Sequence, residues 1–237
     1  MLAIYKRELR SYFTTPIGYV FFAVFLAISA LLFSFTTIKA STPTNNVATY
    51  FTYMLFVLVV VSPLLTMRLF SEEKKMKTEQ LLLTAPVSIS AMVFAKYLAA
   101  LTLYAAALLL TTFNIIPLFM YSDPEVAVIL GNYIAIFLVG ACFLAVGIFM
   151  SSLTENQLAA AVSTTAVLLV FLVISFANAV IDNYIIRSIL NWFSIYARYQ
   201  AFTYGIFDWV SLLYYVSLSF LFCYFTIRIY EVKRWKS

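Results

Sequence analysis

The groups able to do chemistry in this chain are concentrated in one stretch. Between Met67 and Val87, MRLFSEEKKMKTEQLLLTAPV, seven charged residues interrupt an otherwise apolar sequence. Glu72, Glu73, Lys74, Lys75, Lys77, Thr78 and Glu79 supply carboxylates, ammonium groups and a hydroxyl, the groups that make charge-assisted contacts with a protein partner. Their chemistry is that of docking. Ser71 is suited to start a helix, Glu72 and Glu73 fall in its first turn where the dipole favours anions, and Glu73 and Lys77 stand at i,i+4 spacing. The spacing therefore predicts a short surface helix. Leu81, Leu82 and Leu83 give it an apolar end, and Pro86 stops it by biasing Ala85 away from helix. The plain alternative is a solvated loop, which would need polarity but not this ordered combination.

Other chemistries are excluded by composition. The 237 residues include no histidine, so histidine zinc sites, Ser-His and Cys-His pairs and histidine proton relays cannot be built. The five glycines form no G-x-x-x-x-G-K-[ST] loop, so the chain is expected not to hydrolyse ATP by itself. Cys142 and Cys223 read as small apolar packing residues. No catalytic, cofactor-binding or metal-binding residue is assigned.

The elements that must carry the charged stretch are membrane spans. With 64% hydrophobic and 11% charged residues and a mean hydropathy of +0.98, the chain falls far from soluble domains, in which about 25% of residues are charged. Six apolar runs are long enough to cross about 30 Å of hydrocarbon: Ile17 to Ile38, Thr49 to Leu69, Ala91 to Tyr121, Val126 to Met150, Leu158 to Ile181 and Trp209 to Tyr230. The third and fourth are separated at Asp123, Pro124 and Glu125. An all-α integral membrane protein is predicted, one domain over 1–237. Twelve of the fifteen basic residues then fall on one side, leaving Lys39, Arg187 and Arg198 on the other, and the positive-inside rule puts both termini in the cytoplasm. The same bias explains a pI near 9.1 without nucleic acid.

Residues 1–16 resemble the basic start of a signal peptide, but the following apolar run is too long for one. They are expected to form an interfacial helix, with Leu2, Tyr5, Leu9, Tyr12 and Phe13 on its apolar face and Pro16 at the bend into the first span. Thr154 and Gln157 fit a T-x-x-Q capping box at the start of the fifth span. Ala141 with Ala145, and Gly147 with Ser151, are small-residue pairs suited to close helix packing within the chain. Residues 182–207 are long but barely polar and are expected to lie on or dip into the outer membrane surface, with Tyr196, Tyr199 and Tyr204 in an aromatic belt. The middles of the spans carry no charge, which disfavours a proton- or sodium-coupled carrier.

Three stretches carry a family resemblance. EEKKMKTEQLLLTAPV, Glu72 to Val87, is similar to the first cytoplasmic loop of permeases of the ABC type-2 exporter family; KRELRSYFTTPIGYV, Lys6 to Val20, resembles the elbow helix of the branch associated with gliding motility; and GIFMSSLTENQLAAAV, Gly147 to Val162, resembles that branch's second cytoplasmic turn. Lys77 stands where many relatives have glycine. The resemblance implies a permease of a bacterial plasma-membrane exporter, dimerised with a second permease half and bound to a cytosolic ATPase dimer that holds ATP and Mg. An auxiliary subunit with a large extracytoplasmic domain would fit the branch. Residues 70–86 would contain the coupling helix, with Glu72, Glu73, Lys74, Lys75, Lys77, Thr78, Glu79, Leu81 and Leu82 meeting the ATPase. Thr154, Glu155 and Asn156 would make a secondary cytoplasmic contact, and Tyr196, Arg198 and Tyr199, near short re-entrant helices between the fifth and sixth spans, would lie at an outer gate. A non-transporting anchor that transmits mechanical work from the same kind of ATPase is the alternative.

Overall fold

In lipid every backbone amide must find its partner inside the protein, and an apolar run of this length does so by becoming helical. The computed structural model describes residues 1–38, 47–80, 87–121, 124–180, 194–203, 205 and 207–236, and contains no strand among them. The helices are α1 (Leu2–Thr14), α2 (Pro16–Phe33), α3 (Val47–Thr66), α4 (Ser71–Lys75), α5 (Ile89–Leu110), α6 (Ile116–Tyr121), α7 (Val126–Leu153), α8 (Gln157–Val180), α9 (Ile195–Thr203) and α10 (Trp209–Lys236). Six segments among the described residues are long and apolar enough to cross a membrane: Pro16–Thr37, Val47–Lys75, Ile89–Met120, Val126–Leu153, Gln157–Phe176 and Trp209–Arg234. They correspond one for one to the six runs read from the sequence.

Local sequence accounts for the breaks. Thr15 is extended, at φ −102° and ψ 154°, and Pro16 opens α2, where a missing N–H costs nothing and the fixed φ is already helical. The third span is not one continuous α-helix. It tightens into a 3-10 turn over Thr111–Ile115 before α6 resumes, because Pro117 has no N–H to give to Phe113 and its ring crowds that carbonyl. Asn114 in this turn donates to Ser29 Oγ at 2.9 Å, and Ser29 meets the Tyr50 hydroxyl at 2.7 Å, so the loosened backbone is braced against the first and second spans.

α3 and α7 form the centre of the bundle, with 72% of each span's most apolar window buried, against 28% for the first, fifth and sixth spans. Lipid is as apolar as leucine, so what brings these central helices together is close packing. Gly147 of α7 allows it: an added Cβ would lie 2.1 Å from Thr66 Oγ1 of α3. Gly140 similarly makes room for the buried Tyr104 ring of α5, whose hydroxyl donates to the Ile136 carbonyl at 2.6 Å. The small pair Gly147 and Ser151 thus serves packing inside the chain, as its spacing suggested.

At one end of the bundle lie α1, the turn 67–70, α4, the turn between α7 and α8, and the end of α10. Residues 111–121 and 124–125 and α9 lie at the other. α1 and the end of α10 therefore share the face that carries the charged stretch.

Candidate functional site

The charged stretch is shorter and more firmly held than a surface helix would be. α4 is about one and a half turns, too short to be stable by its own hydrogen bonds. Ser71 does not cap it, because its side chain is buried and donates back to the Met67 carbonyl. The cap comes from another span. Ser151 Oγ of α7 accepts from the Phe70 and Ser71 amides, each at 3.2 Å, and donates to the Met67 carbonyl at 3.1 Å. At the far end the Lys77 amide reaches Lys74 O at 3.0 Å and the Thr78 amide reaches Glu73 O at 3.0 Å, which is the Schellman pattern. Lys77 has φ 57°, a left-handed conformation that favours glycine.

Glu73 corrects a second expectation. Its carboxylate is not spent on Lys77, which leaves the helix path at its left-handed turn. It lies 2.9 Å from Lys96 Nζ of α5 and 2.7 Å from the Arg7 guanidinium of α1, with only 16% of the side chain exposed. Glu8 joins the same group, 2.6 Å from Arg7 and 3.3 Å from Lys96. Burial pushes the Glu8 carboxyl up, but Lys96 and Arg7 outweigh it and hold it below the usual glutamate range. Arg68, also buried, donates to Thr15 Oγ1 at 2.5 Å and to Ser11, and lies 3.8 Å from Glu72. A cavity of about 300 Å³ opens between these side chains and Met76 and Thr78.

The other side of the stretch is tied as well. Lys74 donates to the Ser152 carbonyl at the end of α7, and Glu79 is paired with Lys233 of α10 at 2.9 Å. What remains turned outward is Glu72, Lys75, Met76, Lys77, Thr78 and Gln80, a mixed charged surface with Met76 at 69% exposure at its middle. Leu81, Leu82, Leu83 and Pro86 lie outside the described residues.

At the second turn the T-x-x-Q capping box does not form. Asn156 takes the role, its Oδ1 accepting from the Leu158 amide at 3.0 Å, while the Thr154 hydroxyl turns to the Asn156 carbonyl at 3.5 Å. Glu155 and Asn156 are exposed on the same face as the charged stretch.

The residues expected in an aromatic belt pack inward more than such a belt requires. Tyr199 is fully buried and donates to Asn132 Oδ1 at 3.1 Å, Tyr196 is half-buried and stacks on Phe176, and the Arg198 guanidinium lies 4.4 Å from the centre of the Tyr214 ring. Tyr204, Arg187 and residues 182–193 lie outside the described residues. Among the described residues no group of carboxylates and thiols has the clustering a metal ion needs.

Sequence reasoning missed Lys96, Glu8, Ser151 as a cap, and Asn132. Lys96 carried a readable signal, as the sole charge in α5. The rest depend on contacts between distant segments.

The arrangement is an exposed, mixed-charge surface built on the loop between the second and third of six spans and braced by four other elements. No curated protein is similar enough to the chain to count as a match. A family model described as ABC-2 family transporter protein matches residues 23–229, which takes in the second to fifth spans whole, most of the first and sixth, and the charged stretch. The chain is therefore a multi-pass membrane protein belonging to the ABC-2 transporter family, the membrane permease component of an ABC transporter.

Proposed function

We propose that this chain is the permease subunit of a bacterial plasma-membrane exporter driven by a separate cytosolic ATPase, and that the outward face of residues 72–80 is where that ATPase docks. The observation that carries this reading is the combination of exposed Glu72, Lys75, Met76 and Lys77 with anchors beneath them on α1, α5, α7 and α10, of which Lys96 and Ser151 are fully buried. A solvated loop needs no such anchoring. A lever does, because a push at its surface reaches the spans only through contacts that do not yield. The charged end is then cytoplasmic, Glu155 and Asn156 lie beside the docking surface, ATP and Mg belong to the partner, and a second permease half completes the pathway. The cargo enters between spans whose middles carry no charge, which suits an amphipathic or lipid-like molecule.

The test is reversal of the two exposed lysines, Lys75→Glu with Lys77→Glu, followed by co-purification of the ABC ATPase. Truncating one side of a desolvated interfacial charge pair costs roughly 2–5 kcal/mol, so retention of the ATPase should fall at least about tenfold while the permease remains monodisperse. Full retention would refute the docking assignment. Cysteines placed at Lys75 and Gln200 fix the side: Lys75→Cys should be labelled only from the cytoplasmic face and Gln200→Cys only from outside.

A further inference from the structure

Lys96 spends one ammonium group on three elements. Its Nζ lies 2.6 Å from the Leu69 carbonyl in the turn before α4, 2.9 Å from Glu73 of α4 and 3.3 Å from Glu8 of α1. An ammonium has three N–H donors, and here three oxygens from separate parts of the chain surround it. The side chain is 1% exposed and is the sole charge on α5, about two turns in from the helix start. It also lies 4.9 Å from the centre of the Phe70 ring, and Phe70 packs on Tyr230 of α10. Methionine would fill this volume without desolvating a charge, so burial of an ammonium here is not explained by packing.

Connectivity gives the charge a use. α4 is joined through the turn 67–70 to α3. α1 and the first span have no backbone link to α4 other than through the whole of α3, and they meet it through side chains: Glu8 with Lys96, Arg7 with Glu73, and Arg68 with Ser11 and Thr15. Lys96 is the hub of that connection. Without it two carboxylates, Glu8 and Glu73, would share Arg7 alone, and their repulsion would open the joint.

We propose that Lys96 is a positioning residue for the ATP-driven cycle: it makes the N-terminal helix, the charged stretch and the third span move as one unit, so that force delivered at residues 72–80 also reaches the first span. This rests on the docking role proposed above. The residue does not touch ATP or cargo and acts through the elements it holds.

The experiment uses the full-length chain in nanodiscs with the ABC ATPase that co-purifies with it, comparing wild type with Lys96→Met, Lys96→Arg and Glu8→Gln. The first readout is the distance between spin labels on cysteines at the exposed Lys6 and Lys75 positions. It should be narrow in wild type and Lys96→Arg and broad in Lys96→Met and Glu8→Gln. The second is permease-stimulated hydrolysis. In Lys96→Met and Glu8→Gln the ATPase should remain bound and the KM for ATP should be unchanged, while stimulated kcat falls about fivefold or more, the low end of ordinary coupling energies; Lys96→Arg should restore most of it. Should Lys96→Met not fold, Glu8→Gln decides, since it removes the ion pair between α1 and Lys96 while leaving Lys96 paired with Glu73 and Leu69. Wild-type stimulation by both loosened variants, or unbroadened label distances, overturns the role of Lys96 and leaves the docking reading standing. A wild-type chain that neither binds nor stimulates an ABC ATPase overturns both.

Discussion

Ser151→Ala should free the charged stretch at its root. The Ser151 hydroxyl is the acceptor for the Phe70 and Ser71 amides and a donor to the Met67 carbonyl, at a position with no solvent exposure. Alanine preserves the small volume that lets α7 approach this turn but sets a methyl group against two amide donors. The Met67 carbonyl still receives the Ser71 hydroxyl, so the loss is confined to the donors. A stranded buried donor costs about 1–3 kcal/mol, and with partial relaxation the pair should cost about 2–4 kcal/mol. α4 cannot absorb this from its own hydrogen bonds, being far below the length at which an isolated helix is stable. The assay is amide hydrogen exchange in nanodiscs over residues 70–76. At about 1.4 kcal/mol per tenfold change, protection there should fall by about 30-fold or more while the middle of α7 is unaffected. Ser163→Ala removes a hydroxyl that bonds only within its own helix, to Ala160 at 3.1 Å, and serves as the control. If Ser151→Ala changes protection at 70–76 by less than about threefold, a shift under 0.7 kcal/mol, the cap is not what holds the stretch and the reasoning fails.

Three further outcomes are expected. Gly140→Ala places a Cβ 2.3 Å from the Tyr104 ring and should destabilise the bundle by about 1–3 kcal/mol through overpacking, read as a lowered melting temperature in detergent; an unchanged value would show that Tyr104 can move aside freely. Lys77→Val puts a β-branched residue at φ 57° and should cost about 1–2 kcal/mol, whereas Lys77→Gly should be neutral or stabilising; the opposite order would mean the left-handed turn does not form. Because the folded-state Glu8 value is depressed, its stabilisation is fully present well above the ordinary 4.5, declines as pH drops below that value, and is gone once the folded carboxyl protonates. The melting-temperature advantage of wild type over Glu8→Gln should accordingly be constant near neutral pH and shrink below about 4.5, and an advantage that instead grew on acidification would contradict the pairing with Lys96 and Arg7.

Some of this protein could be read residue by residue along the chain. The six spans follow from the length of each apolar run against the thickness of a bilayer, and the corner at Thr15 and Pro16 follows from what proline does to the backbone. The gathering of charge between Met67 and Val87 and the close-packing role of Gly147 and Ser151 were legible for the same reason: each depends on a short window. Side-chain partners were not legible. Within a helix, sequence spacing offers only i,i+3 and i,i+4 neighbours, and by that logic Glu73 belonged to Lys77, Ser71 to its own helix and Thr154 to Gln157. In the folded chain Glu73 finds Lys96 and Arg7, and the cap of α4 comes from Ser151, 80 residues further on. Tyr199, apolar enough for a membrane interface, is buried on Asn132. A short polar helix sealed between spans has more unsatisfied donors and charges than its own sequence can match, so its partners are whichever groups the packing of the spans brings within hydrogen-bonding distance, and only the tertiary structure decides which those are.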